Sequence, residues 1–190
     1  MKDLRFSIRF FSPFLSATGH ADGGYDATVD PTRPLSESTL KGAMAHAAEH
    51  VLRASAEARA RVFGRDGRDG EGGWTWILGE HEYADQSTAT RHRVSIDSDT
   101  HTAEQDQLLK ARVALLKRAE FEIIAKPTRR SQPEPWEAVL LTAAARSVHR
   151  LGAQGARGLG WVGISGGIGE LHREHLRDLR QVKAPTGESR

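Results

Sequence analysis

The chain has 190 residues, of which 38% are hydrophobic and 27% charged, and its formal net charge at pH 7 is +2. This length fits one domain with a buried core. The sequence contains no cysteine, which excludes disulfides, thiol catalysis and cysteine-ligated zinc. With so small a net charge, a nucleic-acid surface has to be a local patch. No apolar run is long enough to cross a membrane, and we expect a cytoplasmic protein.

The first half of the chain predicts a strand, a long loop and a helix. Apolar residues alternate with polar ones over residues 4–15, which predicts a strand with Phe6, Ile8 and Phe10 on one face. A polar loop follows over residues 16–35. A helix begins near Ser36 to Ser38, and its apolar stripe has the spacing of one helical face: Leu40, Met44, Ala47 and Val51. The pattern fades in RASAEARAR, and residues 64–73 form a glycine-rich charged loop.

The second half predicts strands at WTWILGEHEY and RHRVSI, a polar turn at DSDTHTAE, and a strand in the second half of RVALLKRAEFEIIA. A helix is predicted from Trp136 to Leu151 with Gly152 as its C-cap, followed by a strand at GWVGIS and a short helix in the charged tail. This order predicts an α+β fold, a ferredoxin-like or RRM-like core with inserted hairpins and a C-terminal glycine-rich loop. We expect a single domain over residues 1–183, with insertions at 16–35 and 64–110 and a frayed tail at 184–190.

Four glycines, Gly155, Gly158, Gly160 and Gly163, suggest a dinucleotide-binding or phosphate-binding loop. Those motifs need a strand before the glycines and a helix after them, whereas here a helix precedes and a strand follows. Two interpretations stay open. The segment is either a flexible surface turn or a loop that lets the backbone approach a ligand closely, with Arg157 in its middle.

The segment HAAEH has the spacing of the inverzincin metallopeptidases, in which His46 and His50 would bind zinc and Glu49 would act as general base. His46 and Glu49 fall opposite the apolar stripe of the helix, which is typical of a solvated face. His172 and His175 in the tail offer no stronger pattern. A zinc hydrolase is therefore the weaker alternative.

Three aspartates, Asp22, Asp26 and Asp30, lie in the loop before the first helix, where Asp is a common turn former. Hydroxyl side chains and Lys41 follow at the predicted helix start. Unpaired backbone N–H groups and the helix dipole attract anions there. An anion beside carboxylates suggests a phosphodiester, with a divalent cation or an in-line geometry between the two.

An ordered set of segments resembles the RAMP superfamily of CRISPR-associated proteins, and most of all the repeated backbone subunit of type III (Csm/Cmr) effector complexes. The segments are the loop with GGYD, the helix start SESTLKGAMAHAAEHVL, VFG, WTWILGEHEYAD, the hairpin RHRVSIDSDTHTAEQDQLL and the loop GAQGARGLGWVGI. The likeness spans most of residues 4–166. It implies a ribonucleoprotein subunit in antiviral defence, whose partners are guide RNA, target RNA, other effector subunits and copies of itself.

The resemblance also implies roles for individual residues. Guide phosphates would lie near Ser38, Thr39, Lys41 and Gly42 on the helix, and near Arg157, Gly158 and Gly160 in the glycine-rich loop. Asp26 matches the loop aspartate that, in active members, supports cleavage of target RNA with Mg²⁺ or another divalent cation.

Some features depart from the family pattern. Glu37 replaces a small residue, Ala45 stands where a basic residue is often seen, and the chain length predicts a reduced hairpin thumb. A purely structural subunit therefore stays open. So does a guide-processing endonuclease with a histidine such as His20 as general acid or base.

Overall fold

The computed structural model describes residues 3–16, 24–64, 72–96, 98–127, 132–153 and 157–179. The helices and strands of these residues are β1 (Leu4–Phe10), α1 (Glu37–His50), α2 (Ala56–Phe63), β2 (Trp74–Ile96), β3 (Ala103–Ala125), α3 (Pro135–Arg146), β4 (Val162–Gly166) and α4 (Arg173–Asp178). Within these ranges, no helix has the length and apolar character needed to span a membrane.

The four strands form one antiparallel sheet in the order β2-β3-β1-β4. Helices α1 and α2 connect β1 to β2, and α3 connects β3 to β4. This strand order and these two helical connections are the ferredoxin-like arrangement, so the predicted fold class is confirmed.

One face of the sheet packs on the helices. In β1, the side chains of Leu4, Phe6, Ile8 and Phe10 are buried, because successive residues of a strand point to opposite faces. The ring of Phe6 stacks on Phe121 of β3 at 4.8 Å between centroids. The alternate residues of β1 lie on the other, open face.

Helix α1 begins where the sequence predicts, since Ser36 is its N-cap. Val51 was wrongly assigned to the apolar stripe: the helix ends at His50, Val51 is 59% exposed, and Ala48 is buried instead. The sequence also missed α2. Its three buried residues, Ala58, Val62 and Phe63, are too few to give a visible period.

The two strands predicted at WTWILGEHEY and RHRVSI are one strand, β2, of 23 residues. It pairs with β3, also 23 residues long, with register irregularities on either side of Tyr83. The first half of RVALLKRAEFEIIA, like its second half, belongs to β3. The hairpin is thus built from two strands of 23 residues each.

Helix α3 is shorter than predicted and ends at Arg146 with Ser147 as C-cap, so the assignment of Gly152 as a C-cap is wrong. Gly152 has a φ of +75°, and a Cβ there would collide with the carbonyl oxygen of Leu15. A glycine is needed at this position because the chain returns against the segment after β1. The predicted β4 strand and the tail helix are both present.

A buried carboxylate ties α3 to the sheet and to α2. Glu137 is fully buried and accepts a 2.7 Å hydrogen bond from the indole nitrogen of Trp74. The Nε atom of Arg61 in α2 lies 3.0 Å from the same carboxylate. The charge of Glu137 is thus paired inside the core, as a buried charge has to be.

Candidate nucleic-acid interface

A cavity of about 370 Å³ lies between the loop after β1, the β2–β3 hairpin and the glycine-rich segment before β4. Its lining is basic. The charged and ionisable residues around it are Asp26, Arg91, His92, Arg93, Lys110 and Arg157, with Ala27, Leu109, Ala111 and Leu159 between them. Residues distant in sequence are therefore brought to one place, and most of their charge is positive.

Asp26 is held in this cavity by the backbone of β3. Its N–H donates to the carbonyl of Lys110 at 2.8 Å, and its Oδ2 accepts from the N–H of Lys110 at 2.7 Å. The next residue, Ala27, forms a parallel bridge with Ala111. The loop therefore runs along β3 like a short extra strand and fixes the aspartate, whose side chain is exposed.

The neighbouring Tyr25 contacts a hydroxyl group and a cation of the hairpin. Its hydroxyl lies 3.0 Å from Oγ1 of Thr90, and the guanidinium of Arg112 lies 4.5 Å from the ring centroid. The hydrogen bond with Thr90, and then that with Arg112, hold the pKa of Tyr25 below its ordinary value.

Asp30 has a different role from Asp26. Its Oδ1 accepts from the N–H of Thr32 at 2.8 Å, from the Thr32 hydroxyl at 2.6 Å and from the N–H of Arg33 at 3.2 Å. The Thr32 hydroxyl hydrogen bond is the main reason that the pKa of Asp30 lies below its ordinary value. These contacts make Asp30 a turn former. Asp22 lies outside the described residues.

At the start of α1, the hydroxyl groups are arranged as a cap. Ser36 Oγ accepts from the N–H of Thr39 at 3.2 Å and lies 2.8 Å from Oγ1 of Thr39 and 2.9 Å from Oγ of Ser38. Glu37, which replaces a small residue of the family pattern, pairs with Arg33 at 2.7 Å. Of these hydroxyl residues, Ser38 is the one exposed to solvent.

Lys41 and Gly42 follow on the same helix. The Nζ atom of Lys41 lies 5.9 Å from the ring centroid of Trp76, and its side chain is half-buried. Gly42 is exposed, and a Cβ built on it meets no atom within 4 Å. The helix surface at this turn is therefore open to a ligand that approaches the backbone.

The glycines of the C-terminal loop serve different purposes. Gly158, with a φ of +79°, has open space around it, whereas a Cβ on Gly160 would collide with the carbonyl oxygen of Leu151. At Gly163, a Cβ would lie 3.2 Å from the ring of Phe11. Packing within the chain thus accounts for Gly160 and Gly163, while Gly158 is the one free to approach a ligand. Gly155 lies outside the described residues.

The start of α1 and the glycine-rich segment border a common stretch of chain, residues 13–16. The N–H of Ala153 donates to the carbonyl of Leu15 at 2.7 Å, and that of Gly160 donates to Pro13 at 2.8 Å. On the other side, Ser16 Oγ lies 3.5 Å from Oγ1 of Thr39. Two segments far apart in sequence are thus joined through one short connector.

Sequence reasoning missed the contribution of the hairpin, namely Arg91, Arg93 and Lys110. The available signal was the pair Arg91 and Arg93 in RHRVSI. The two arginines are two residues apart, so in a strand their side chains lie on the same face. That signal does not say which loop the strand will face, because strand register between distant segments is not visible in a single sequence.

Among the residues that the structure describes, the HAAEH segment has no third ligand. The rings of His46 and His50 are 4.3 Å apart, but Glu49 pairs with Arg59 at 2.9 Å. Over the ranges that the structure describes, no three His, Asp or Glu side chains are grouped so that they could hold a metal ion. His172 and His175 lie together on or beside α4, with 5.4 Å between ring centroids, and His20 falls outside the described ranges.

The fold and the site together define a ferredoxin-like domain with a basic cavity suited to a polyanion. The family model of the RAMP superfamily matches residues 8–163. The chain therefore belongs to the RAMP superfamily, as its sequence motifs predict.

Two solved structures are similar to the chain. A chain in a cryo-EM structure of the type III-B Cmr-beta complex bound to cognate target RNA aligns with a TM-score of 0.67 and 11% identity, covering 94% of this chain and 99% of that one. A chain in the apo state of type III-B Cmr-beta aligns with a TM-score of 0.62 and 10% identity, covering 86% and 96%. At this identity the likeness concerns the fold. No curated protein sequence matches the chain.

Proposed function

We propose that the chain is a guide-RNA-binding backbone subunit of a type III CRISPR effector complex, acting in antiviral defence. The observation that carries the proposal is the shared cavity of Asp26 and Arg157, in which a loop carboxylate is surrounded by cations from the hairpin and the glycine-rich segment. Membership of the RAMP superfamily and the likeness to chains of Cmr-beta complexes support it.

RNA binding in this cavity rests on charge. Arg91, Arg93, Lys110 and Arg157 line it, and phosphate contacts by Arg and Lys supply sequence-independent affinity. Ser38, Lys41 and Gly42 on α1 would extend the contact along the strand, because a hydroxyl, a cation and an exposed glycine all permit close approach of a phosphate. Recognition of the sugar–phosphate backbone is what a guide-binding subunit needs, since the guide sequence varies.

Cleavage of target RNA is the finer part of the proposal. The Asp26 carboxylate, fixed by the N–H of Lys110, would orient a ribose 2′-hydroxyl for attack on the adjacent phosphate. The 2′-hydroxyl gives up its proton to water and its oxygen forms the new bond to phosphorus, while the bond from phosphorus to the 5′-oxygen breaks and that oxygen takes a proton from water, which yields a 2′,3′-cyclic phosphate and a 5′-hydroxyl. The arginines would stabilise the negative charge that develops on the phosphate.

A divalent cation fits this cavity only together with RNA. Asp26 is the single carboxylate in the lining among the described residues, and the surrounding arginines repel a free cation. Mg²⁺ is commonly bound through one or two carboxylates plus the phosphate oxygens of a substrate. Asp26 would therefore hold the ion jointly with bound RNA, where it would neutralise phosphate charge. The other proposed partners are target RNA, further effector subunits and copies of the chain, and the proposed location is the cytoplasm.

Salt dependence of RNA binding tests the proposal. We expect the double variant Arg93→Gln, Arg157→Gln to bind single-stranded guide RNA more weakly. Its slope of log K against log salt should be shallower by about 1.4, because each phosphate contact adds about 0.7 for single strands. The matched control is Arg53→Gln, Lys117→Gln, which removes two exposed cations that do not line the cavity. Equal slopes for the two double variants would reject the cavity as the RNA site.

A further inference from the structure

A second surface with the chemistry of a nucleic-acid site lies on the open face of the sheet. Phe11, just after β1, is 62% exposed, and Trp161, just before β4, is 44% exposed. The two residues are paired, since the N–H of Phe11 donates to the carbonyl of Trp161 at 2.8 Å. Phe11 follows the buried Phe10, and Trp161 precedes the buried Val162. Because successive side chains of a strand point to opposite faces, both rings lie on the face away from the helices.

Each ring has an arginine beside it. The guanidinium carbon of Arg9 lies 5.5 Å from the Phe11 centroid, and that of Arg150 lies 5.0 Å from the Trp161 centroid. Among the residues that the structure describes, neither arginine forms an ion pair. The absence of a Cβ at Gly163 makes room for the Phe11 ring, which lies close above that strand. Arg9, Phe11, Arg150 and Trp161 are called the aromatic–arginine patch below.

We propose that the aromatic–arginine patch binds unpaired bases of single-stranded RNA, an interaction that goes beyond the guide-phosphate contacts proposed above. Exposed rings give every base a stacking surface, and arginine adds cation–π and phosphate contacts. On RRM-like sheets in general, aromatic residues on the open face stack two or three bases.

The position of the patch also favours RNA as its occupant. Trp161 follows Leu159, a cavity-lining residue, by two positions, so the patch lies close along the chain to the proposed guide site. Arg118 lies opposite Arg9 in the register of β3 and β1 and adds positive charge, partly offset by Glu82 across from it in β2. Positive charge with two flat exposed rings complements a polyanion that carries planar bases.

Fluorescence of Trp161 tests the inference. The other indoles are less accessible: Trp74 and Trp76 are buried and Trp136 is half-buried. We expect an oligouridylate of about ten nucleotides, within the range of single-strand sites, to quench the emission of the full chain. The quenching should disappear in Trp161→Phe and persist in the matched control Trp136→Phe. Quenching that persists in Trp161→Phe would overturn the inference.

A second measurement separates base stacking from charge. We expect the oligouridylate to bind about tenfold or more tightly than an abasic ribose-phosphate oligomer of the same length. The variant Phe11→Leu, Trp161→Leu, which keeps apolar side chains at both positions, should remove this preference. Equal binding of the two oligomers by the unmodified chain would overturn the inference. Weaker quenching of Trp161 emission by the oligouridylate in Arg150→Gln, which keeps both rings, would support the inference.

The two proposals fail separately. If Arg93→Gln, Arg157→Gln binds guide RNA with an unchanged salt slope while Trp161 is still quenched, the aromatic–arginine patch stands and the cavity proposal falls. If the slope changes but no base preference is found, the cavity stands and the patch is rejected.

Discussion

The Oδ2 atom of Asp26 accepts a 2.7 Å hydrogen bond from the backbone N–H of Lys110, so the position of the carboxylate depends on the main chain of β3. Because the donor is a backbone N–H, a change of the Lys110 side chain leaves the hydrogen bond to Asp26 in place. Charge and placement at Asp26 can therefore be changed independently.

Replacing Asp26 by Asn separates the charge of this side chain from its placement. Asp26→Asn keeps an oxygen that can accept from Lys110 but removes the negative charge. We expect guide binding to be retained and target RNA cleavage by the assembled complex to be lost, measured by gel analysis of labelled target. Lys110→Met, which removes a lining cation but keeps the N–H, is the comparison and should weaken binding while leaving cleavage of bound target. Undiminished cleavage by Asp26→Asn would exclude Asp26 from the chemistry.

Lys41 is predicted to contact guide phosphate. Lys41→Ala should weaken guide binding and make the slope of log K against log salt shallower by about 0.7. Lys117→Ala is the control, since it removes an exposed lysine of β3 whose nearest acid is Asp85 at 3.9 Å. A Lys41→Ala chain that binds like the Lys117→Ala chain would argue against α1 as part of the interface.

Gly42 gives opposite expectations for stability and for binding. Because a Cβ meets no atom there, Gly42→Ala should raise the free energy of unfolding by roughly 0.5–1 kcal/mol through helix propensity. The same methyl should lower RNA affinity if the guide backbone lies against the helix. His46→Ala, at an exposed position one turn further along α1, should leave RNA binding unchanged. If Gly42→Ala is stabilised with unaltered affinity, the guide does not approach this turn.

The core ion pair is open to a direct stability test. Glu137→Ala leaves the Trp74 indole without this acceptor and removes the buried one of two carboxylates beside Arg61, which keeps Glu134 at 2.6 Å, and we expect a loss of about 1–3 kcal/mol in urea unfolding. Glu137→Gln retains an acceptor for Trp74 and should lose less. Equal losses for the two variants would show that the charge of Glu137, and not its hydrogen bond, carries the effect.

Asp30 should contribute to acid sensitivity. Its pKa in the folded chain lies below the ordinary value of 3.8, mainly because of the Thr32 hydroxyl. A depressed folded-state pKa stabilises the fold above 3.8, and this contribution is lost as the pH falls through the folded-state value. Thr32→Val should flatten the dependence of the unfolding free energy on pH in that range, whereas Thr32→Ser should preserve it. Identical pH profiles for both variants would contradict this role of Thr32.

The elements that sequence predicted best are those whose apolar residues are large and regularly spaced. Phe6, Ile8 and Phe10 mark β1, and Leu40 with Met44 marks α1. Helix α2 was missed because it has only three buried residues, Ala58, Val62 and Phe63, which give no visible period. The start of α1 was predicted from its cap Ser36, whereas the C-terminal ends of α1 at His50 and of α3 at Arg146 were not.

For the candidate site, the structure brings Asp26 and Arg157, both singled out from the family resemblance, to one cavity, and their roles there stay predictions. The arginines of the hairpin were missed because their facing partner depends on long-range register. The roles of Ser38, Thr39, Lys41 and Gly42 stay predictions. Thr39 is already engaged by the cap at Ser36, which makes it the weakest candidate of the four for RNA contact.

The turn at residues 98–101 is exposed and stands at the far end of the β2–β3 hairpin, away from the packed core. Because the chain has no cysteine, a single thiol introduced at this turn would be a unique attachment point for a dye. Energy transfer between such a label and a dye on one end of the RNA would measure the distance from the hairpin turn to that end. It would thereby show on which side of the hairpin the RNA passes.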